Sequence, residues 1–319
     1  MSKRIVIAIC IFLVILATFV AFYFANYRSE TAKASARNNE KITVVVYGNS
    51  AERWHALEEG IIQACDEIGI SRPTLLLSGQ DGSDEQIRLI DRERGEGSRG
   101  IIVAADDSVV MTSYLTDIVK KTPVVTVSSG ISGNVPFVGT DDTKIGEDTY
   151  DEMEIIFADA SKKVLLIDCN KNRLDVRRRI DGFLAKAQAD RVATADVGVL
   201  DAGTAKSIAT QITYTGADAV VCFDADVMDA VVDAVDSLDG SISLYGVGIG
   251  SKSIDSLDRG ITKALCFRDE FSMGYIAMMR MASAIGYKTE SYPDVAMHRM
   301  IRRSSLFTED VERLLFPKN

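Results

Sequence analysis

From Lys41 onward the chain alternates short, unbroken runs of β-branched and aliphatic residues with longer amphipathic stretches, and it does so in two successive series. The first reads ITVVVY from Ile42, a helix over Glu52 to Ile68, TLLLS from Thr74, a helix over Glu85 to Arg94, IIVAA from Ile101, a helix over Val109 to Lys120 and PVVTVS from Pro123. After the segment Pro136 to Thr140 the second series runs through a helix over Lys144 to Ala158, KVLLID from Lys163, a helix over Leu174 to Ala187, VGVLD from Val197 and a helix over Ala205 to Tyr214. It continues with AVVCFD from Ala219, a helix over Val227 to Leu238, ISLYGVG from Ile242 and ITKALCF from Ile261. Strands that are apolar throughout, rather than on alternate residues, are buried on both faces, which requires a parallel sheet with helices on each side. Two such series predict an α/β protein of two doubly wound parallel-sheet lobes, with the carboxyl edges of the strands facing a cleft. A helix over Glu270 to Ile285 and a closing edge strand in MHRMIRRSS remain to pack against these lobes.

Ahead of this domain, Ile5 to Phe24 contains no charge. Such a run has the roughly 20 residues an α-helix needs to cross a hydrocarbon core. Lys3 and Arg4 favour a cytoplasmic start, against Arg28, Lys33 and Arg37 on the other side. A signal peptide is the competing reading, with Ala32-Lys-Ala34 as its cleavage-like site; the apolar run exceeds the usual length of about 7–15 residues. Ile9 stands before Cys10 where a lipoprotein signal wants a small residue. The expectation is a membrane anchor or signal over residues 1–25, a polar tether over 26–40, and a soluble domain outside the cytoplasm.

Composition removes several functions. The net charge of -10 opposes nucleic-acid binding, and a transmembrane run stands where a repressor would carry its helix-turn-helix. Only His55 and His298 are present, so neither a histidine metal centre nor a histidine-relayed nucleophile has material to work with. Asp141, Asp142, Asp224 and Asp226 are the one acidic set an enzyme could use, and they fall on separate loops with no nucleophile motif. The five cysteines, Cys10, Cys65, Cys169, Cys222 and Cys266, form no CxxC pair and read as small buried hydrophobes. No enzyme activity, metal or cofactor is expected.

Three motifs need weighing. Gly95-Glu-Gly97-Ser-Arg-Gly100 matches the dinucleotide pattern in letters only, because its glycines end a helix and precede a strand. Gly246-Val-Gly248-Ile-Gly250 follows a strand and reads as a tight turn where backbone approaches a ligand. Arg177, Arg178 and Arg179 open a helix whose positive end prefers acids, so one of them is a candidate for the site and at least two lie on a solvated face. The only tryptophan, Trp54, falls at the mouth of the expected cleft, either in the core or stacked on a sugar ring; Asp224 caps a helix there.

In order along the chain, VVVYGNSAERWHALEEGIIQACDEIGI, SRGIIVAADD, PVVTVSSG, VGTDDTKIGEDTYDEM, DVRRRIDGF, ADAVVCFDADVMDAVVDAV, YGVGIG and DRGITKALCFRDEFSMGYIA resemble the ribose-type branch of the type I periplasmic binding proteins, whose core lactose-repressor-type regulators share. The resemblance implies one lobe over 41–139 plus 268–293 and a second over 140–267 plus 294–319, joined near Thr140, Phe267 and Asp294. Matched residue by residue, it implies Trp54 as the stacking aromatic with Asn49 and Ser50 beside it, Arg177 as the hydroxyl-binding arginine, Asp224 after a second-lobe strand, and Arg268 in place of a glutamine. Ser128-Ser129 replaces an Asp-Arg pair and Gly248 an aspartate, and Asp141 completes the candidate ligand set. The implied function is solute binding, with a sugar as the expected ligand and an anionic small molecule as the alternative. The implied partner is an ABC permease or, for a tethered co-receptor, a sensor histidine kinase.

Overall fold

A computed structural model describes residues 40–79, 82–170, 172–198, 201–238, 242–248, 250–309 and 311. The expected anchor and tether over residues 1–39 lie outside the described residues, among which no helix is long and apolar enough to cross a membrane. Two sheets organise the chain. The first comprises β1 (Ile42–Val46), β2 (Thr74–Leu77), β3 (Gly100–Val103), β4 (Val124–Val127) and β5 (Phe137–Val138), all parallel, in the order β2-β1-β3-β4-β5. Helices α1 (His55–Ile68), α2 (Gly82–Gly95) and α3 (Ser108–Ile118) connect them.

The second sheet contains β6 (Val164–Asp168), β7 (Val192–Asp196), β8 (Ala219–Cys222), β9 (Ser243–Val247), β10 (Thr262–Arg268) and β11 (His298–Ile301), in the order β11-β10-β9-β8-β6-β7. Only β11 runs antiparallel. Its helices are α4 (Asp142–Glu152), α5 (Glu154–Ala158), α6 (Leu174–Lys186), α7 (Thr204–Thr215), α8 (Ala225–Asp236) and α9 (Ser251–Asp258). The helix expected as one piece over 144–158 is broken at Met153, where α4 ends and α5 begins. The strand expected at Val197 lies five residues earlier, Val164 of β6 pairing with Val192. As an edge strand β7 is largely exposed, so its VATAD lacks the continuous apolar signal that marks the inner strands.

Two-residue periodicity explains why β1 is apolar throughout. Val44 and Val46 face a core shared with Leu57, Ile61 and Met273, while Val45 faces the opposite core with Ile90, Met111 and Leu115. In the second lobe Leu165 and Ile167 pack toward α7 and α8, and Val164 and Leu166 toward α4 and α6. Helix α10 (Glu270–Ala284) leaves the second sheet and returns to the first lobe against α1. Here Gly60 and Gly274 make the close approach possible: a Cβ on Gly60 would overlap the Phe271 carbonyl, and one on Gly274 the Leu57 carbonyl. Gly146 and Gly182 do the same for α4 and α6, meeting the carbonyls of Arg179 and Thr143. The three segments that pass between the lobes bond to one another, through Gly139 N to Asp294 O (3.1 Å), Ala296 N to Gly139 O (2.7 Å) and Asp269 N to Met297 O (2.9 Å).

Candidate functional site

Carboxyl ends of parallel strands carry loops whose residues point away from the core, so side chains there are free to serve a ligand. Those ends bring together Tyr47 after β1, Asp106 after β3, Ser128 and Ser129 after β4, Arg173 after β6, Asp224 and Asp226 after β8, and Arg268 closing β10. The cluster they form is charged and mostly buried. Arg173 lies 3.0 Å from Asp224, 3.1 Å from Asp226 and 3.4 Å from Asp175. Arg179 reaches Asp142 (2.8 Å), Asp175 (3.0 Å) and the Phe223 carbonyl (2.9 Å). On the other side of the cleft Arg53 bonds Glu270 (2.6 Å) and crosses to Asp226 of the second lobe (3.2 Å). Arg268 takes the second oxygen of Glu270 (2.6 Å) and donates to Ser128 Oγ (3.2 Å).

Electrostatics follow from burial and pairing. Burial opposes charge on Asp175, yet Arg173, Arg179 and Arg268 outweigh it and hold that carboxyl well below its ordinary range. Glu270 is likewise held down, its burial overcome by Arg53 and Arg268. For Asp142 burial wins and the carboxyl is raised, Arg179 offsetting only part of the cost. Burial also raises Asp106 and the Tyr47 phenol. Several buried atoms here have no hydrogen-bond partner in the structure: Tyr47 Oη, Ser129 Oγ, Asp142 Oδ2 and Arg268 Nε. Each such orphan costs about 1–3 kcal/mol. Both described non-glycine residues with left-handed backbone, Ser128 (φ 61°) and Asn170 (φ 46°), sit at this edge, one in each lobe. Non-glycine residues are held in that region where the surrounding structure over-determines them, and such sites cluster at ligand clamps.

The residues singled out from sequence divide clearly. Ser128, Ser129, Asp224 and Arg268 are buried in the cluster, and Asp224 both caps α8 through Asp226 N and accepts from Asn170 Nδ2 (2.5 Å). Gly248 directly follows β9, beside Ser253. Asn49 and Ser50 are exposed in the loop after β1. Asp141 is an exposed helix cap, bonding Lys144 N, and its neighbour Asp142 is the buried one. Arg177 lies exposed on α6 with Arg178, while Arg179 and the unforeseen Arg173 point inward. Of the two positions left open for Trp54, the structure shows the core. Trp54 is 1% exposed, ends the short 3-10 turn Glu52–Trp54, donates its indole N–H to Tyr47 O (3.0 Å) and packs in the first-lobe core. Arg53, Arg173, Asp175 and Glu270 were missed.

The remaining motifs behave as structural parts. Gly95 ends α2, Gly97 turns with φ 89°, and Gly100 opens β3, so the dinucleotide-like letters are a helix end and a turn. Cys65, Cys169, Cys222 and Cys266 are free and buried, and burial pushes the thiols of Cys65 and Cys266 up to about 12.

A family model described as a periplasmic binding protein domain matches residues 42–289. The chain belongs to that family. Its lobes have the type I architecture, and membership places it among proteins that bind a solute without transforming it. No curated protein sequence matches it significantly. Among solved structures this periplasmic binding protein is similar to GanP, a glucose-galactose binding protein of Geobacillus stearothermophilus, with TM-score 0.71, 20% identity and coverage of 85% of this chain and 100% of that one. It is also similar to a carbohydrate transporter solute binding protein of Agrobacterium radiobacter in complex with D-arabinose (TM-score 0.75, 16% identity, 86% and 99% covered). A third similar structure is the XylFII–LytSN complex (TM-score 0.67, 19% identity, 83% and 98% covered). At these identities the likeness is one of fold.

Proposed function

We propose that this chain is an extracytoplasmic solute-binding protein that takes a neutral sugar or related polyol into the cleft between its lobes and presents it to an ABC transporter. The observation that carries the reading is the strand-edge cluster of paired arginines and carboxylates with orphaned buried polar atoms among them. Ligand hydroxyls both donate and accept, so a polyol suits a strand-edge cluster whose unpaired atoms include an acceptor, Asp142 Oδ2, a donor, Arg268 Nε, and the hydroxyls of Tyr47 and Ser129. Charge balance argues against an anionic ligand. The guanidiniums of Arg53, Arg173, Arg179 and Arg268 already meet the carboxylates of Asp142, Asp175, Asp224, Asp226 and Glu270, with Asp106 close by. A ligand carboxylate or phosphate would have to displace one of them. GanP and the arabinose-bound Agrobacterium protein, which bind sugars in the same fold, support the choice of ligand class.

A second reading, a membrane-anchored co-receptor for a sensor histidine kinase, is favoured by the uncharged run Ile5 to Phe24 and the polar stretch that follows it. The fold's similarity to a chain of the XylFII–LytSN assembly also supports it. Both readings share the ligand site. A thermal-shift screen of the purified full chain against monosaccharides, polyols, sugar acids and sugar phosphates tests that site, since a ligand of the native state raises its apparent stability by mass action. Stabilisation by a neutral member supports the proposal. Stabilisation only by acids or phosphates, or by none, sinks it.

A further inference from the structure

The two aromatic side chains beside the β1 loop, Tyr47 and Trp54, are placed where a flat ring could support a sugar, but neither offers an open face. The Arg53 guanidinium lies over the Trp54 ring at 4.6 Å from its centroid, and the Arg173 guanidinium over the Tyr47 ring at 4.2 Å. Tyr47 and Trp54 also meet edge to face, with centroids 4.8 Å apart. Neither arginine is free to swing aside. Arg53 is pinned by Glu270, whose side chain is only 2% exposed and whose other oxygen is held by Arg268. Withdrawing Arg53 would leave that buried carboxylate half-neutralised. Arg173 is pinned by Asp175, Asp224 and Asp226 together.

We infer that Arg53 is a specificity-determining residue: by covering the indole of Trp54 it replaces an apolar stacking platform with a fixed fork of hydrogen-bond donors, so the protein selects its ligand by hydroxyl pattern and discriminates against deoxy sugars. This rests on the proposed reading of the cleft as a neutral-polyol site. The physical asymmetry is familiar. An aromatic face tolerates a methyl where a hydroxymethyl stood, because both present C–H groups. Fixed polar groups that are left unpaired by a missing hydroxyl reject the analogue strongly.

Matched pairs test the inference: D-galactose against its 6-deoxy analogue D-fucose, and D-ribose against 2-deoxy-D-ribose. Thermal shift on the full chain identifies which pair binds, and titration calorimetry on wild type and Arg53→Ala follows, with the emission of the single tryptophan recorded alongside. In wild type the hydroxylated member is expected to bind at least about tenfold tighter than the deoxy member, with Trp54 emission nearly unchanged on saturation. In Arg53→Ala the ratio collapses and ligand now alters Trp54 emission. A wild-type ratio near one, or a large Trp54 response in wild type, overturns the inference and needs no variant to fold. If no member of either pair binds, the neutral-polyol reading fails instead.

Discussion

Replacing Arg179 by methionine keeps the aliphatic stem and removes the guanidinium from a side chain that is 1% exposed. Asp142 and Asp175, each 1% exposed, then lose the cation between them, and the Phe223 carbonyl loses its donor. Breaking one side of a buried ion pair costs roughly 3–5 kcal/mol, because the remaining charge is uncompensated. At about 2–4 °C per kcal/mol for chains of this size class, the melting temperature should fall by roughly 6–20 °C at neutral pH. The pH dependence has a definite sign. Burial already raises Asp142, and without Arg179 it takes up a proton more readily still, which relieves the penalty. The deficit relative to wild type therefore shrinks as pH is lowered from about 7 to about 5. Adding Asp142→Asn should restore part of the lost stability, giving a non-additive double mutant. Calorimetry across that pH range reads all three effects. A methionine variant that melts within a degree or two of wild type, or a deficit indifferent to both pH and Asp142→Asn, would refute the account of the network.

Three further outcomes follow from the same geometry. Gly60→Ala and Gly146→Ala each place a methyl against a backbone carbonyl of the neighbouring helix and should destabilise by about 1–3 kcal/mol in thermal melts; neutral effects would mean that these helices are not in close contact. Asp175 and Glu270 have folded values held below the unfolded ones, so their contribution is present above about pH 4 and disappears as pH falls through the lower folded values. A melting temperature that climbs on acidification through that window would contradict it. Thiol reagents should modify Cys65 and Cys266 only on unfolding, since burial both shields them and disfavours the thiolate; rapid labelling of the native chain would show otherwise.

The inner strands were legible because each is a continuous apolar run, a pattern that a sheet covered on both faces imposes directly. Edge strand β7 was misplaced because three of its five residues are exposed and carry no such signal. Of the residues named from sequence, Ser128, Ser129, Asp224 and Arg268 lie buried at the strand ends, whereas Arg177 is exposed and Arg173, which was not named, is buried. A run of three arginines attracted attention, while Arg173 shares the short segment between the end of β6 and the start of α6 with Lys171. Its place at the carboxyl end of a strand, directly before the helix, was the available signal. Glu270 looked like an ordinary first-turn acid of α10, and nothing local reveals that Arg53 and Arg268 converge on it from distant segments. For Trp54 the choice between core and ligand stacking stayed open because one dimension cannot show a neighbouring guanidinium lying over the ring.

Titration calorimetry of the best ligand from the sugar and polyol screen against Arg173→Met and Arg177→Ala tests the central claim most directly. With Arg173 buried among three carboxylates and Arg177 exposed on α6, the account predicts that Arg173→Met weakens binding by about a hundredfold or more while Arg177→Ala stays within about threefold of wild type. Binding that survives Arg173→Met and is lost in Arg177→Ala would contradict a ligand site built on the strand-edge network.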